Sequence, residues 1–239
     1  MTLDEIFCNT IKALSRQVAP RVKKKVDFML PSMPMVKACQ TDEAGFFQRY
    51  IEKGILTTEQ MHNAAQRFFL GKSKIGQPIF WMIDDMVMPL DGLIGEDVWV
   101  SQLLKKRHPL NRYWRVKHCL FGLHQISTLD SQQSTISIVE KPTSAIILSE
   151  IFPETIWLSV MAGTYFTIDL LKPLKGCKIK VFPHTDPTMS NYINWLDLTD
   201  MARKAYNLDI SVSFYLEDHT TESQKSRSID ILEFIYENP

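Results

Sequence analysis

No stretch of this 239-residue chain approaches the roughly 20 consecutive apolar residues that a membrane-crossing helix needs, so no membrane role is expected. Cysteine is scarce: Cys8, Cys39, Cys119 and Cys177 are widely scattered and form no CxxC pair. That pattern suits reduced thiols in a cytoplasmic protein better than a disulfide framework. His118, Cys119, His124 and Cys177 match no standard zinc spacing. There is no Gly-x-Ser-x-Gly elbow and no Gly-rich phosphate loop, which removes the commonest signatures of serine hydrolases and P-loop nucleotidases. Net charge is also missing. Lys+Arg and Asp+Glu are both 27, so nothing draws the whole chain towards nucleic acid, and such a role needs a local patch. The start of the chain, MTLDEIFCNTIKAL, carries acids and lacks the basic lead and apolar centre of a secretory signal.

One absence is local. Between Val98 and Thr128 there is no acid at all, against Lys105, Lys106, Arg107, Arg112, Arg115 and Lys117. Trp99, Tyr113, Trp114, Phe121 and three histidines are interleaved with them. Cations for phosphates and rings for stacking are what a single-strand-binding surface needs. A half-buried hairpin with aromatics inward and cations outward accounts for the same pattern. The tail from Glu217 to Pro239 has the opposite bias, six acids against two bases.

In chain order, Leu3 to Val18 reads as an amphipathic helix followed by the basic run Arg21, Lys23, Lys24 and Lys25, and LPSMP (30–34) reads as a linker. Glu43 to Lys53 is a short helix ended by Gly54. Thr57 with Gln60 forms a capping box for a helix burying Met61, Ala64, Ala65, Phe68 and Phe69, with Gly71 as its stop. Pro78 to Asp84 is a strand, and Asp91-Gly92 a turn. The second half alternates strand and helix. Ile136, Ile138 and Val139 form a β-branched strand stopping at Glu140, and Pro142 opens a helix. TIWLSV (155–160), KIKVF (178–182) and ISVSFYL (210–216) follow as strands. Between the last two lies a helix over 193–206 with Ile193, Leu196, Leu198, Met201 and Ala205 as its apolar positions, and 229–236 closes as a helix.

Strands separated by helices imply an α/β fold with a mostly parallel sheet flanked by helices in the C-terminal half, after an N-terminal helical and small β region. The expected divisions are 1–34 (helix and linker), 35–130 (helical hairpin plus a small β subdomain with the basic-aromatic stretch) and 131–239 (the parallel α/β domain). Glu140, His184 and Asp186 then all fall at strand ends, where open α/β sheets place their working residues. Asp186 precedes Pro187 and also fits turn chemistry.

Ile138-Val139-Glu140-Lys141-Pro142-Thr143-Ser144-Ala145, the Ala162-Gly163 turn and Phe182-Pro183-His184-Thr185-Asp186 together resemble the Toprim pattern of primases, topoisomerases and some nucleases, over roughly Ser134 to Pro239. Ile79 to Asp84, His118 to Gly122 with His124, and Phe182-Pro183 resemble, more narrowly, an uncharacterised primase-like Toprim family of bacterial mobile elements, from about Phe46 onward. The resemblance implies a nucleic-acid-associated protein with Glu140 as acid/base or metal ligand and Asp186 as ligand to a divalent metal, Mg or Mn. His184 stands in an acidic slot, giving His-x-Asp in place of Asp-x-Asp, and imidazole suits softer metals than Mg. Lys141 joins the basic residues as a phosphate contact. Implied partners are DNA or RNA, single-stranded, and replication or mobilisation proteins. If the chain is an enzyme, the reaction is metal-dependent phosphoryl transfer. The alternatives are a catalytically silent scaffold that binds a replication partner, and a metal-dependent phosphohydrolase.

Overall fold

The computed structural model describes residues 26–28, 33–38, 40, 45–107, 114–128 and 135–238. The helix expected at 3–18, its basic run, and Arg112 and Tyr113 lie outside the described residues. Strand β1 (Val26–Phe28) is followed by helix α1 (Met33–Ala38). The expected linker is therefore partly helical: Pro34 sits in the first turn, where its missing N–H breaks no helical hydrogen bond. Helix α2 (Gln48–Glu52) ends before Gly54, and α3 (Thr58–Arg67) carries the reciprocal Thr57–Gln60 capping box. Met61, Ala64, Ala65 and Phe68 are buried as expected. The left-handed residue that stops this helix is Phe69 (φ 52°), not Gly71, which already belongs to strand β2 (Gly71–Lys72).

Strands β2, β3 (Pro78–Ile83), β4 (Pro89–Ile94) and β5 (Val98–Trp99) form an antiparallel sheet in that order. Asp91 and Gly92, expected as a turn, lie inside β4. The chain reverses instead at 84–88, where Asp84 Oδ1 accepts the N–H groups of Met86 and Met88. Gly92 serves close packing, since a Cβ there would lie 2.9 Å from the Trp81 ring. Helix α4 (Val100–Arg107) and strand β6 (Trp114–Val116), which pairs in parallel with β1, complete this half.

The second half is a four-stranded parallel sheet of β7 (Thr135–Val139), β8 (Ile156–Ser159), β9 (Lys178–Val181) and β10 (Asp209–Val212), in the order β10-β9-β7-β8. Helix α5 (Pro142–Ile151) connects β7 to β8, and α6 (Ile168–Leu171) lies between β8 and β9. Helix α7 (Ser190–Tyr206) connects β9 to β10, and α8 (Tyr215–His219), α9 (Glu222–Ser226) and α10 (Ile231–Glu237) follow. The mixed α/β class with a parallel sheet is as expected. The registers align Ile136 with Ile156 and Ile179, and Ile179 with Ile210. Partners in register share a face, so one side of the sheet is a continuous aliphatic layer. Each buried isoleucine there stabilises the fold by about 1.5–3 kcal/mol.

Two details differ from the sequence reading. Helix α7 buries Trp195, Thr199 and Ala202, whereas Ile193 and Met201 are exposed. Strand β10 stops at Val212, short of the strand expected over 210–216, and Leu216 and Glu217 are buried on α8. The two sheets meet through Phe121, which stacks on Phe68 and meets Phe80 edge-on while its backbone bridges to Ser159 at the edge of β8.

Candidate functional site: the carboxyl edge of the parallel sheet

Glu140 follows the last residue of β7, and Lys141 in extended conformation precedes Pro142 at the first position of α5. Its backbone is held by Ser159, whose hydroxyl donates to the Glu140 carbonyl at 2.5 Å and accepts the Met161 N–H. Its carboxylate is held at both oxygens. Oε1 accepts the Gly163 N–H at 2.7 Å, and Oε2 meets His184 Nδ1 in a tight ion pair. Gly163 is needed for this approach, because a Cβ there would come within 3.0 Å of Oε1.

His184 reaches Glu140 from beyond the end of β9. Its other ring nitrogen, Nε2, lies 2.6 Å from the Asn191 side-chain amide on α7. The neutral ring donates from Nδ1 and accepts from the amide N–H. The doubly protonated ring needs that amide turned so that its oxygen faces Nε2. Burial alone would raise the Glu140 carboxyl. His184, the Gly163 N–H and Lys141 outweigh it and hold the group below its ordinary range. Glu140 in turn raises the His184 imidazole, against burial and Lys141.

Asp186 is 7% exposed and turned into its own loop. Oδ1 accepts the Thr188 N–H, the Thr188 hydroxyl and the Ser190 N–H; Oδ2 accepts the Asn191 N–H at 2.8 Å. Burial acts to raise its pKa, but these four donors hold it well below the carboxylate range. The carboxylate thus closes the 186–191 loop and starts α7, a capping role.

Of Glu140, His184 and Asp186, expected to converge at one edge, Glu140 and His184 meet, whereas Asp186 turns both oxygens to its own loop and does not join them. These donors do not fit a divalent cation. A hard cation needs carboxylate oxygens that converge on one point, whereas Glu140 is turned to His184 and Gly163 and Asp186 to Thr188, Ser190 and Asn191. Among the described residues no group of three His, Cys, Asp or Glu side chains could hold a metal ion. The zinc-like set is dispersed as well: His124 is buried with Nε2 on the Arg67 carbonyl, and Cys119 is buried with its thiol pushed above the ordinary range by that burial.

Of the basic residues, Lys105, Lys106 and Arg107 occupy the last turn of α4, Arg115 lies within β6 and Lys117 is exposed just after it. Arg112 lies outside the described residues. Lys141 borders Glu140, and its ammonium pairs with Glu233 at 3.2 Å. The stretch ends at His118, which stacks on Trp99 and meets Tyr165 edge-on with ring centroids 5.5 Å apart. Tyr165 is two residues from Gly163, so the end of the basic-aromatic stretch adjoins the Glu140 edge. Sequence reasoning missed three members of this neighbourhood. Asp91, fully buried, accepts from Gly92 N, Ser101 N and the Ser101 hydroxyl and lies 3.6 Å from His118 Nε2. An acid inside the apolar run PLDGLI was the available signal. Tyr165 and Asn191 carry none, because only the packing of distant segments gives them their neighbours.

Residues 46–185 match the model of a family described as a domain of unknown function, DUF6371. The matched region includes Glu140, Gly163 and His184 and ends one residue before Asp186. No curated protein and no solved structure matches the chain.

Proposed function

The chain belongs to the DUF6371 family, and from that premise we propose that it is a Toprim-like, primase-related nucleic-acid-associated domain that binds single strands as a scaffold, without metal-dependent phosphoryl transfer. The observation that carries this reading is the closed set of contacts at the strand edge. Glu140 Oε1 accepts the Gly163 N–H and Oε2 is paired by charge with His184 Nδ1 while accepting no other hydrogen bond among the described residues, His184 Nε2 faces the Asn191 amide, and both Asp186 oxygens accept hydrogen bonds. A general base needs a free lone pair within reach of its substrate, and a metal centre needs convergent ones. The strand order and the Glu at the end of the first strand of the parallel sheet support the Toprim-like part. The meeting of His118, Trp99 and Tyr165 near that edge supports the nucleic-acid part: a tyrosine ring 37% exposed is suited to stacking a base, and Lys117, exposed and next to His118 in the chain, is suited to contacting a phosphate.

The test is fluorescence anisotropy of a labelled single-stranded oligonucleotide across a salt series, with Mg²⁺ or chelator, for the wild type and Glu140→Gln. Affinity should fall steeply with salt, by about 0.7 log units per log unit of salt for each phosphate contacted. It should be the same with Mg²⁺, with chelator and in the variant. Absent or salt-independent binding refutes the association. Mg²⁺-dependent strand cleavage or extension that disappears in Glu140→Gln refutes the scaffold reading.

A further inference from the structure

The second face of the parallel sheet departs from what such sheets ordinarily bury. Sheets of this kind are covered by helices on both sides, and their strands read as near-continuous aliphatic runs. Here the registers align Ser137 with Trp157 and with Lys180, and Lys180 with Ser211. A row of hydroxyls, one ammonium and one indole thus lies behind the isoleucine layer. Helix α10 and the segment that follows α5 wall this face without filling it, and a cavity of about 520 Å³ remains. Neither Glu140, His184 nor Asp186 lines it.

The lining specifies an occupant. Trp157 and Phe182 lie 5.5 Å apart with rings inclined by 33°, Phe152 sits 6.1 Å from Trp157, and Phe234 of α10, edge-on to Tyr215, also lines the space. Aromatic walls of this kind take flat rings, by stacking and edge contacts. The floor is polar, with Ser137 and Thr155 hydroxyls 3.3 Å apart and Thr155 donating to the Thr135 carbonyl. Lys180 is the cation of the pocket. Its ammonium lies 5.5 Å from the centroid of the Phe182 ring, and among the described residues it has no carboxylate partner. Glu154, also on the lining, disfavours an occupant with several negative charges. The volume falls within the range of small-molecule sites.

We infer that this cavity is a binding site for a planar aromatic ligand carrying a single negative charge, its rings between Trp157, Phe182 and Phe234 and its anionic group on Lys180. The site is independent of the proposed strand-binding role. Calorimetric titration with naphthoate and with its neutral counterpart naphthalenemethanol tests it. The full-length wild type should bind naphthoate about tenfold more tightly, the equivalent of one charge-assisted contact. Lys180→Met should abolish that preference by weakening naphthoate relative to naphthalenemethanol, and the exposed side chain can be replaced without touching the core. Phe234→Ala should weaken both probes. Absence of binding up to millimolar probe, a wild-type preference near one, a preference that persists in Lys180→Met, or full binding of both probes by Phe234→Ala each overturns the inference.

Discussion

Replacing Glu140 with Gln keeps the shape of the side chain and removes its charge, which makes it the most direct probe of the strand-edge pair. His184 and Glu140 keep only 23% and 20% of their side chains in solvent, so the pair is worth more than a surface ion pair. It also has water at one side, so the full penalty of a sealed charge is not incurred. Losing one charge-assisted contact of this kind costs about 1–3 kcal/mol. For a domain of this size each kcal/mol lowers Tm by about 2–4 °C. The pH dependence carries the sharper information. The folded pKa of His184 is raised above its ordinary 6.5, so its contribution is complete below 6.5 and is lost as pH rises through the raised value. The folded pKa of Glu140 is depressed below its ordinary 4.5, so its contribution is complete above 4.5 and is lost as pH falls through the depressed value. Both contributions are complete only between 4.5 and 6.5. Thermal melts should show the wild type most stabilised over Glu140→Gln inside that window, with the gap closing as pH rises through the raised His184 value. A gap of constant size across the His184 titration, followed by NMR in the same pH series, would refute the ion-pair account of this edge.

Two further outcomes follow from the same geometry. Asp186→Asn loses the charge that four donors converge on and should lower stability by about 1–2 kcal/mol, the value of a helix cap, with amide exchange faster at 188–191 and unchanged in β7; protection that stays at the wild-type level at 188–191 would remove its role in closing the loop. Gly163→Ala puts a methyl group 3.0 Å from Glu140 Oε1 and must lengthen a contact of the carboxylate, so the His184 titration followed by NMR should move down towards its ordinary value; an unmoved titration would show that Gly163 is not needed for the approach.

What could be read in the chain itself was short in range. The Thr57–Gln60 capping box, the proline opening α5 and the β-branched run ending at Glu140 depend on residues within a turn of one another, and all three stand as read. Even the capping role of Asp186 was partly visible as turn chemistry, because its donors lie two to five positions ahead. Where local rules misled, a distant partner decided. Asp91-Gly92 has the composition of a turn, but both residues pair with Met82 and Trp81 of β3, and the Trp81 ring packs against the glycine. Ile193 and Met201 have the hydrophobicity of core residues, but α7 presents Trp195 and Ala202 to the interior instead. The meeting of Glu140 with Gly163 and His184 and the approach of His118 to Tyr165 arise from the strand order β10-β9-β7-β8 and from the packing of one sheet on the other. So does the polar face behind the isoleucines. Periodicity along a strand tells which residues share a side, but it does not tell which strand lies next to it. The sequence by itself determined the elements whose signals are local, such as α3, α5 and β7, and the position of Glu140 at a strand end. Only the tertiary structure decided which atoms it would meet, because those contacts depend on neighbours brought together by the fold and not by the chain.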